Sequence, residues 1–116
     1  MTIQRIQVGP RMSQAAIHNG TVYLAGQVAL DNAGKPVADQ TREILQRIDA
    51  LLAEAGSGRH KLLSATIYLS DIASFAEMNA VWDAWVDPAN TPARATVEAR
   101  LAAPQFTVEI AIVAAV

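Results

Sequence analysis

The sequence predicts a two-layer α+β domain in which two helices cover one face of a mixed β-sheet, in the order ββαβαββ. Two observations favour this fold class. Segments with the two-residue alternation of half-buried strands stand on both sides of two segments with helical periodicity. No linker, repeat or low-complexity stretch interrupts them, and residues 3–8 are compatible with a further short strand. Because 116 residues suit one core, we expect a single domain over residues 1–116.

A hairpin signal joins two strands near the N-terminus. Residues 15–18 lead into Asn19-Gly20, the dipeptide that most favours a two-residue turn. Residues 21–28 follow as a strand that contains Gly26. A glycine inside a strand has no side chain to pack, so Gly26 marks either a bulge or a place where a ligand or another backbone comes close.

A first helix is predicted from Gln40 onward, where the apolar period changes to that of a helix. Asp39 suits the N-cap of this helix and Gly56 suits its C-cap. The apolar stripe consists of Ile44, Leu45, Ile48, Leu51, Leu52 and Ala55. The opposite, polar face consists of Arg42, Glu43, Gln46, Arg47, Asp49 and Glu54.

A strand and a second helix come next. The alternation of the strand puts four apolar residues on its buried face, namely Leu63, Ala65, Ile67 and Leu69. Ser74 and Glu77 fit a capping box at the start of the helix, and Pro88 ends it. The apolar stripe of this helix is Phe75, Met78, Val81, Trp82 and Trp85. Two last strands are predicted at residues 93–100 and 106–114.

Composition limits the classes of function. The net charge is -2 and the nine Lys and Arg are scattered singly, so the basic stripe that nucleic-acid binding needs is missing. No apolar run reaches the roughly 20 residues needed to span a bilayer, and the first residues lack a signal-peptide pattern. The chain has no cysteine, so we expect a cytoplasmic protein without a disulfide scaffold. Because a chain this small cannot bury a composition that is 52% hydrophobic, we expect an oligomer in which another subunit covers the second face of the sheet.

Glu109 is the residue that the pattern places most awkwardly. It lies in residues 106–116, which are otherwise apolar on both faces, as in a central strand covered on both sides. An unpaired carboxylate buried there would take up a proton, so a positive or hydrogen-bonding partner is expected.

Arg94 is the natural candidate for that partner. It follows Pro92 at the start of the preceding strand, and arginine can hold a carboxylate bidentately. If the two strands are neighbours, Arg94 and Glu109 line one cleft; a surface salt bridge is the alternative. The residues that alternate with Arg94 are expected to pack in the core, namely Ala93, Ala95, Val97 and Ala99.

Other chemistry-bearing residues carry weaker signals. His18 and His60 have no second ligand at metal spacing, so no metal site is expected. Trp82 and Trp85 follow the helix stripe, which favours a role in the core or in a subunit contact.

Several short segments occur in an order and at spacings that together are specific, although each is weak alone. They are Ser13-Gln14-Ala15, Leu24-Ala25-Gly26-Gln27, Gln40-Thr41, Ala53-Glu54-Ala55-Gly56-Ser57, Phe75-Ala76-Glu77-Met78-Asn79, Pro92-Ala93-Arg94 and Val108-Glu109-Ile110. From about residue 9 to the C-terminus, the sequence thus resembles the RidA/YjgF family. The resemblance implies a chorismate-mutase-like α+β fold and a homotrimer with ligand clefts between neighbouring subunits. Family members of the best-known kind hydrolyse reactive enamines and imines, such as 2-aminoacrylate and 2-iminobutanoate, to 2-keto acids and ammonia.

The resemblance also implies roles for individual residues. Arg94 matches the arginine that binds the substrate carboxylate, and Glu109 matches the glutamate that helps to place the attacking water. Gly26 matches a glycine whose backbone lies at the ligand. The implied reaction needs no cofactor, because an imine carbon is already electrophilic and the protein has to hold the anion and aim one water.

Three neighbouring positions depart from the better-known members. Met12 stands where they have a tyrosine, Ala25 where they have a serine, and Thr96 where many have a cysteine. The first two changes remove hydroxyls that would contact the ligand, so a different or more apolar substrate is expected. The rival hypothesis is a non-catalytic trimeric module that binds a small carboxylic acid or a protein partner through the same clefts. Ribonuclease or translation-inhibitor activity, attached to some relatives, is disfavoured by the acidic balance.

Overall fold

The computed structural model describes residues 2–116, which form six strands and two α-helices. The elements are β1 Gln4–Val8, β2 Ser13–His18, β3 Thr21–Leu24, α1 Val37–Glu54, β4 Leu62–Leu69, α2 Phe75–Trp85, β5 Ala93–Glu98 and β6 Val108–Ala115. The order βββαβαββ contains one strand more than the predicted ββαβαββ, because residues 4–8 pair with β2 along the edge of the sheet. The predicted α+β class is confirmed.

The six strands form one mixed sheet in the order β1-β2-β3-β6-β4-β5. Only β4 and β5 run parallel, and α2 makes the crossover that a parallel pair requires. All other neighbours are antiparallel. The position of β4 between β5 and β6 decides the geometry of the candidate site.

The predicted hairpin between β2 and β3 is confirmed. Asn19 and Gly20 have φ angles of 53° and 75°, the left-handed pair that a type I′ turn needs. The second strand is shorter than predicted, since β3 ends at Leu24. Beyond it, Gln27 forms an isolated bridge with Ile110 of β6.

The helix ends differ from their sequence predictions. Helix α1 begins at Val37, so Asp39 lies in its first turn and is not the N-cap. The amide of Ala38 instead donates to the Glu77 carboxylate of α2 over 3.0 Å. Glu77 is thereby removed from the predicted capping box with Ser74, whose side chain makes no cap hydrogen bond. Gly56, with φ 79°, follows the C-cap and ends α1 as a left-handed residue.

The hydrophobic core lies between the helices and one face of the sheet. Alternate residues of the two central strands are buried there, namely Ala65, Ile67 and Leu69 of β4 and Val108, Ile110, Ile112 and Ala114 of β6. Leu63 was predicted to share this face, but the register shifts between Leu62 and Ser64, so Leu62 is buried and Leu63 is exposed. The second face is left uncovered: Tyr23 and Val97 are 52% and 43% exposed.

Within residues 2–116, the helices are too short or too polar to cross a lipid bilayer.

Candidate functional site

Gly26 lies against the carboxylate of Glu109. A Cβ atom at position 26 would overlap Glu109 Oε2 and lie 3.0 Å from its Cδ atom. Two backbone hydrogen bonds between Gln27 and Ile110, of 2.9 and 3.1 Å, fix this segment beside β6. Gly26 therefore marks a close approach, but the approaching group is a side chain and not the ligand or backbone that the sequence suggested.

Glu109 is half-buried on the face of the sheet that faces away from the helices. Its cross-strand neighbour on β4 is Tyr68, and both flanking residues, Val108 and Ile110, point into the core. Within one chain the helices cover only one face of β6, because both pack on the same side, and the second face is the one that another subunit is expected to cover. None of the four ion pairs among residues 2–116 includes Glu109.

Arg94 lies on the opposite face, beside α2. It pairs with Ala65 of β4, whose side chain is buried under the helices. Its Nη1 atom donates to Asn79 Oδ1 over 2.8 Å. The guanidinium carbon lies 5.8 Å from the ring centroid of Phe75 and 5.5 Å from that of Trp82, within the range of cation–π contacts.

The expected pairing of Arg94 with Glu109 is wrong within one chain. Strand β4 separates their strands, and the two side chains point to opposite faces. The predicted burial of the alternate β5 residues fails for the same reason, because Arg94 occupies the helix side. Exposed on the uncovered face are Ala93, Ala95 and Val97.

The remaining predicted site residues divide between these two locations. Thr96 lies two residues beyond Arg94 on the same face, opposite Ile67, and its Oγ1 atom is buried without a hydrogen-bond partner in the described chain. Met12 is 53% exposed and, with Gly26, lines a cleft of about 470 Å³ beside α1. The carbonyl of Ala25 accepts a 3.0 Å hydrogen bond from Gln27 Nε2.

The predicted site residues thus fall into two groups, which are candidate half-sites. We call Glu109 with Gly26, Ala25 and Met12 the acid half, and Arg94 with its neighbours the basic half. The acid half contains the carboxylate of Glu109, which lies against the backbone of Gly26. A carboxylate in this position can accept a proton from a water. The basic half offers a guanidinium that is held in place and forms no ion pair with another of residues 2–116, so it can bind an anion.

Asn79 and Phe75 belong to the basic half and were not predicted as site residues from the sequence. Asn79 is the fourth residue after Phe75 in α2, and Trp82 is the third residue after Asn79, so all three share one face of the helix. That spacing was available as a signal. It did not show that the face meets Arg94, because this depends on how α2 packs against the edge strand.

Glu43 of α1 is a further carboxylate whose position differs from the prediction. It was assigned to the polar face, but it is 8% exposed. Its oxygens accept hydrogen bonds from the Asn32 amide and side chain, both 2.8 Å, from the Asp31 amide, 3.2 Å, and from Arg47 Nε, 2.6 Å. Burial raises the pKa of Glu43, but these hydrogen bonds outweigh burial and hold the pKa below its usual value.

Residues 2–116 contain no group of three or more His, Cys, Asp or Glu side chains placed to hold one metal ion.

Comparison with known proteins gives consistent matches over the full chain. The family model described as Endoribonuclease L-PSP matches residues 2–116. A RutC family protein of Haemophilus influenzae is 47% identical over 114 residues, covering 98% of each chain. The RutC family protein YoaB of Escherichia coli is 46% identical over 116 residues, covering 100% of each chain. A crystal structure of a YjgF family member from Neisseria meningitidis superimposes with a TM-score of 0.95 at 48% identity, covering 99% of this chain and 95% of that one.

Proposed function

We propose, from the premise that this chain belongs to the YjgF/RutC family, that it hydrolyses reactive imines and enamines that carry a carboxylate. One observation carries the proposal. The chain presents a positioned guanidinium at Arg94 and a carboxylate at Glu109, and neither is in an ion pair within residues 2–116. Two such groups are what the reaction needs to bind an anion and activate water.

The complete site requires more than one copy of the chain. Arg94 and Glu109 point to opposite faces of one sheet, so they meet only across a subunit boundary. The uncovered sheet face, with Tyr23 and Val97 exposed, supplies the apolar area that an assembly would bury. Our proposal is a homotrimer in which Arg94 of each subunit faces Glu109 of its neighbour.

In this site Arg94 binds the substrate carboxylate, and Glu109 orients a water and accepts its proton. The water oxygen forms a bond to the imine carbon while the electrons of the C=N bond move to nitrogen, which takes up protons. The C–N bond then breaks, ammonia leaves with the electron pair, and a C=O bond completes the 2-keto acid. Gly26, Ala25, Met12 and Thr96 surround the substrate as binding residues. General-base assistance of this kind contributes about 10² to 10⁴ in rate.

The test couples an amino acid dehydratase to the protein. Threonine or serine dehydratase releases the enamine, and the rate of keto acid formation is compared with that in buffer. Acceleration by the wild type, with loss in Arg94→Ala and Glu109→Gln, is expected. Arg42→Ala is a matched control, because Arg42 pairs with Asp39 on the exposed side of α1 and lies outside both half-sites. A wild type that gives the buffer rate with several amino acids overturns the proposal.

A non-catalytic module that binds a small carboxylate or a protein partner is the second candidate. It is favoured by the side chains of Met12 and Ala25, which offer no hydroxyl to a polar ligand. Both candidates use Arg94, and they separate at Glu109. Binding of a keto acid that survives Glu109→Gln, without any acceleration by the wild type, supports the module. Ribonuclease activity, named in the description of the family model, is opposed by the net charge of -2.

A further inference from the structure

Tyr68 lies beside Glu109 on the uncovered face of the sheet. The antiparallel register of β4 and β6 places the two residues directly opposite each other, so their side chains point to the same face. Ile67 and Leu69, which flank Tyr68 in β4, are fully buried on the helix side, so Tyr68 points away from the helices. Directly opposite side chains have Cβ atoms about 4.5 to 5.5 Å apart. The Tyr68 phenol is therefore within reach of a ligand that binds at the Glu109 carboxylate.

The Tyr68 hydroxyl is free to bind such a ligand. It makes no hydrogen bond with another of residues 2–116. In this part of the chain, the buried side-chain oxygens that lack a hydrogen-bond partner are those of Thr96 and Thr107. The oxygen of the half-buried Tyr68 is therefore accessible to solvent.

The surroundings of Glu109 differ on its two sides. Strand β6 is joined to the Gly26 segment along one edge and to β4 along the other. A ligand above the Glu109 carboxylate thus has backbone on one side and the Tyr68 hydroxyl on the other. Two residues further along this face, Ala95 of β5 and Ala111 of β6 have short side chains that leave room above the sheet.

The proposed reaction needs a contact at the substrate nitrogen. Arg94 binds the carboxylate and Glu109 activates the water, so neither of them is assigned to the nitrogen. When the water adds, the electrons of the C=N bond become a lone pair on nitrogen. A phenol hydroxyl can accept a hydrogen bond from the N–H group of the protonated imine and can then donate one to this lone pair.

We propose that Tyr68 is a further substrate-binding residue, whose hydroxyl contacts the substrate nitrogen and directs the imine carbon toward the water at Glu109. The inference rests on the proposed imine hydrolysis and adds the group that contacts the nitrogen. Tyr68 and Glu109 come from the same subunit, and Arg94 comes from its neighbour. Because the contact strengthens as the water adds, its loss lowers kcat more than it raises KM.

The experiment compares two variants that each remove one hydroxyl. In the dehydratase-coupled assay we expect Tyr68→Phe to lower kcat about tenfold or more, since a hydrogen bond to a charged group is worth about that factor. Its urea midpoint should equal that of the wild type, because the hydroxyl bonds nothing within the chain. Tyr23→Phe is the matched control, because Tyr23 lies on the same uncovered face but pairs with Val113, further along β6. This variant should keep the wild-type kcat.

The outcomes separate this inference from the proposed function. If the wild type gives only the buffer rate, the proposed function fails and the inference fails with it. If the wild type accelerates the reaction and Tyr68→Phe keeps the wild-type kcat, only the inference is overturned. An equal fall of kcat in Tyr68→Phe and Tyr23→Phe also overturns the inference, because the effect then comes from the packing of the whole face.

Discussion

Replacing Gly26 by alanine should separate activity from stability. The added Cβ would overlap Glu109 Oε2 and lie 3.0 Å from Cδ, so the carboxylate has to move. Only the far end of the half-buried Glu109 side chain needs to rotate. The atoms nearest to the added Cβ all belong to this side chain and not to the backbone. The displacement should therefore be inexpensive for the fold but should remove Glu109 from the place that we propose for it beside the substrate.

The magnitudes follow from this geometry. Extra methylenes in a tightly packed core cost about 1 to 3 kcal/mol, and the mobility of the carboxylate should keep Gly26→Ala below about 1 kcal/mol in free energy of unfolding. Loss of general-base assistance costs about 10² to 10⁴ in rate. We expect kcat/KM to fall by that factor in the coupled imine assay, while urea denaturation shows a nearly unchanged midpoint.

A double variant tests the cause. If Gly26→Ala acts through Glu109, then adding it to Glu109→Gln should produce little further loss of activity. Gly58→Ala is the control, because its Cβ would meet only the ring of His60, 3.1 Å away, and the activity should stay at the wild-type level. Full activity in Gly26→Ala, or independent losses that multiply in the double variant, would refute the reasoning.

Two further predictions concern Glu43, which bonds to Arg47 beside the cleft, and Asn79, which holds Arg94 in the basic half. Because the pKa of folded Glu43 lies below its usual value, its carboxylate stabilises the fold above the unfolded pKa of about 4.3, and this contribution is lost as the pH falls through the folded value. Glu43→Gln should therefore lower the free energy of unfolding by about 1 to 3 kcal/mol at pH 7. If urea titrations at pH 7 give the same free energy of unfolding for the wild type and the variant, the role assigned to Glu43 is contradicted. Asn79→Ala removes the 2.8 Å hydrogen bond to Arg94. This variant should raise KM about threefold to tenfold with a smaller change in kcat. An unchanged KM in steady-state kinetics would show that stacking on Phe75 and Trp82 alone holds the guanidinium.

Local patterns in the sequence were sufficient for most of the secondary structure. Alternation located β4, a continuous apolar run located β6, and the Asn19-Gly20 dipeptide located the turn, because each depends on neighbouring residues only. The start of α1 could not be predicted in the same way. The amide of Ala38 in its first turn donates to Glu77, which comes from another helix.

The sequence did not show on which face of the sheet each candidate site residue lies. The alternation along β5 showed that Arg94 and Thr96 share a face, but the parallel register with β4 decides which face meets the helices. Glu43 shows the same limit. Helical periodicity placed it on the outer side of α1, and its burial arises because residues 31 and 32 fold over its carboxylate.

The central claim is that Arg94 and Glu109 act from different subunits. Arg94→Ala and Glu109→Gln, each inactive alone, should regain activity when they are unfolded together and refolded as mixed trimers. Each mixed trimer contains one boundary with both an intact Arg94 and an intact Glu109, so random 1:1 mixing should restore about a quarter of the wild-type activity per chain. If native mass spectrometry shows mixed trimers and they remain as inactive as the parent variants, the shared site is contradicted.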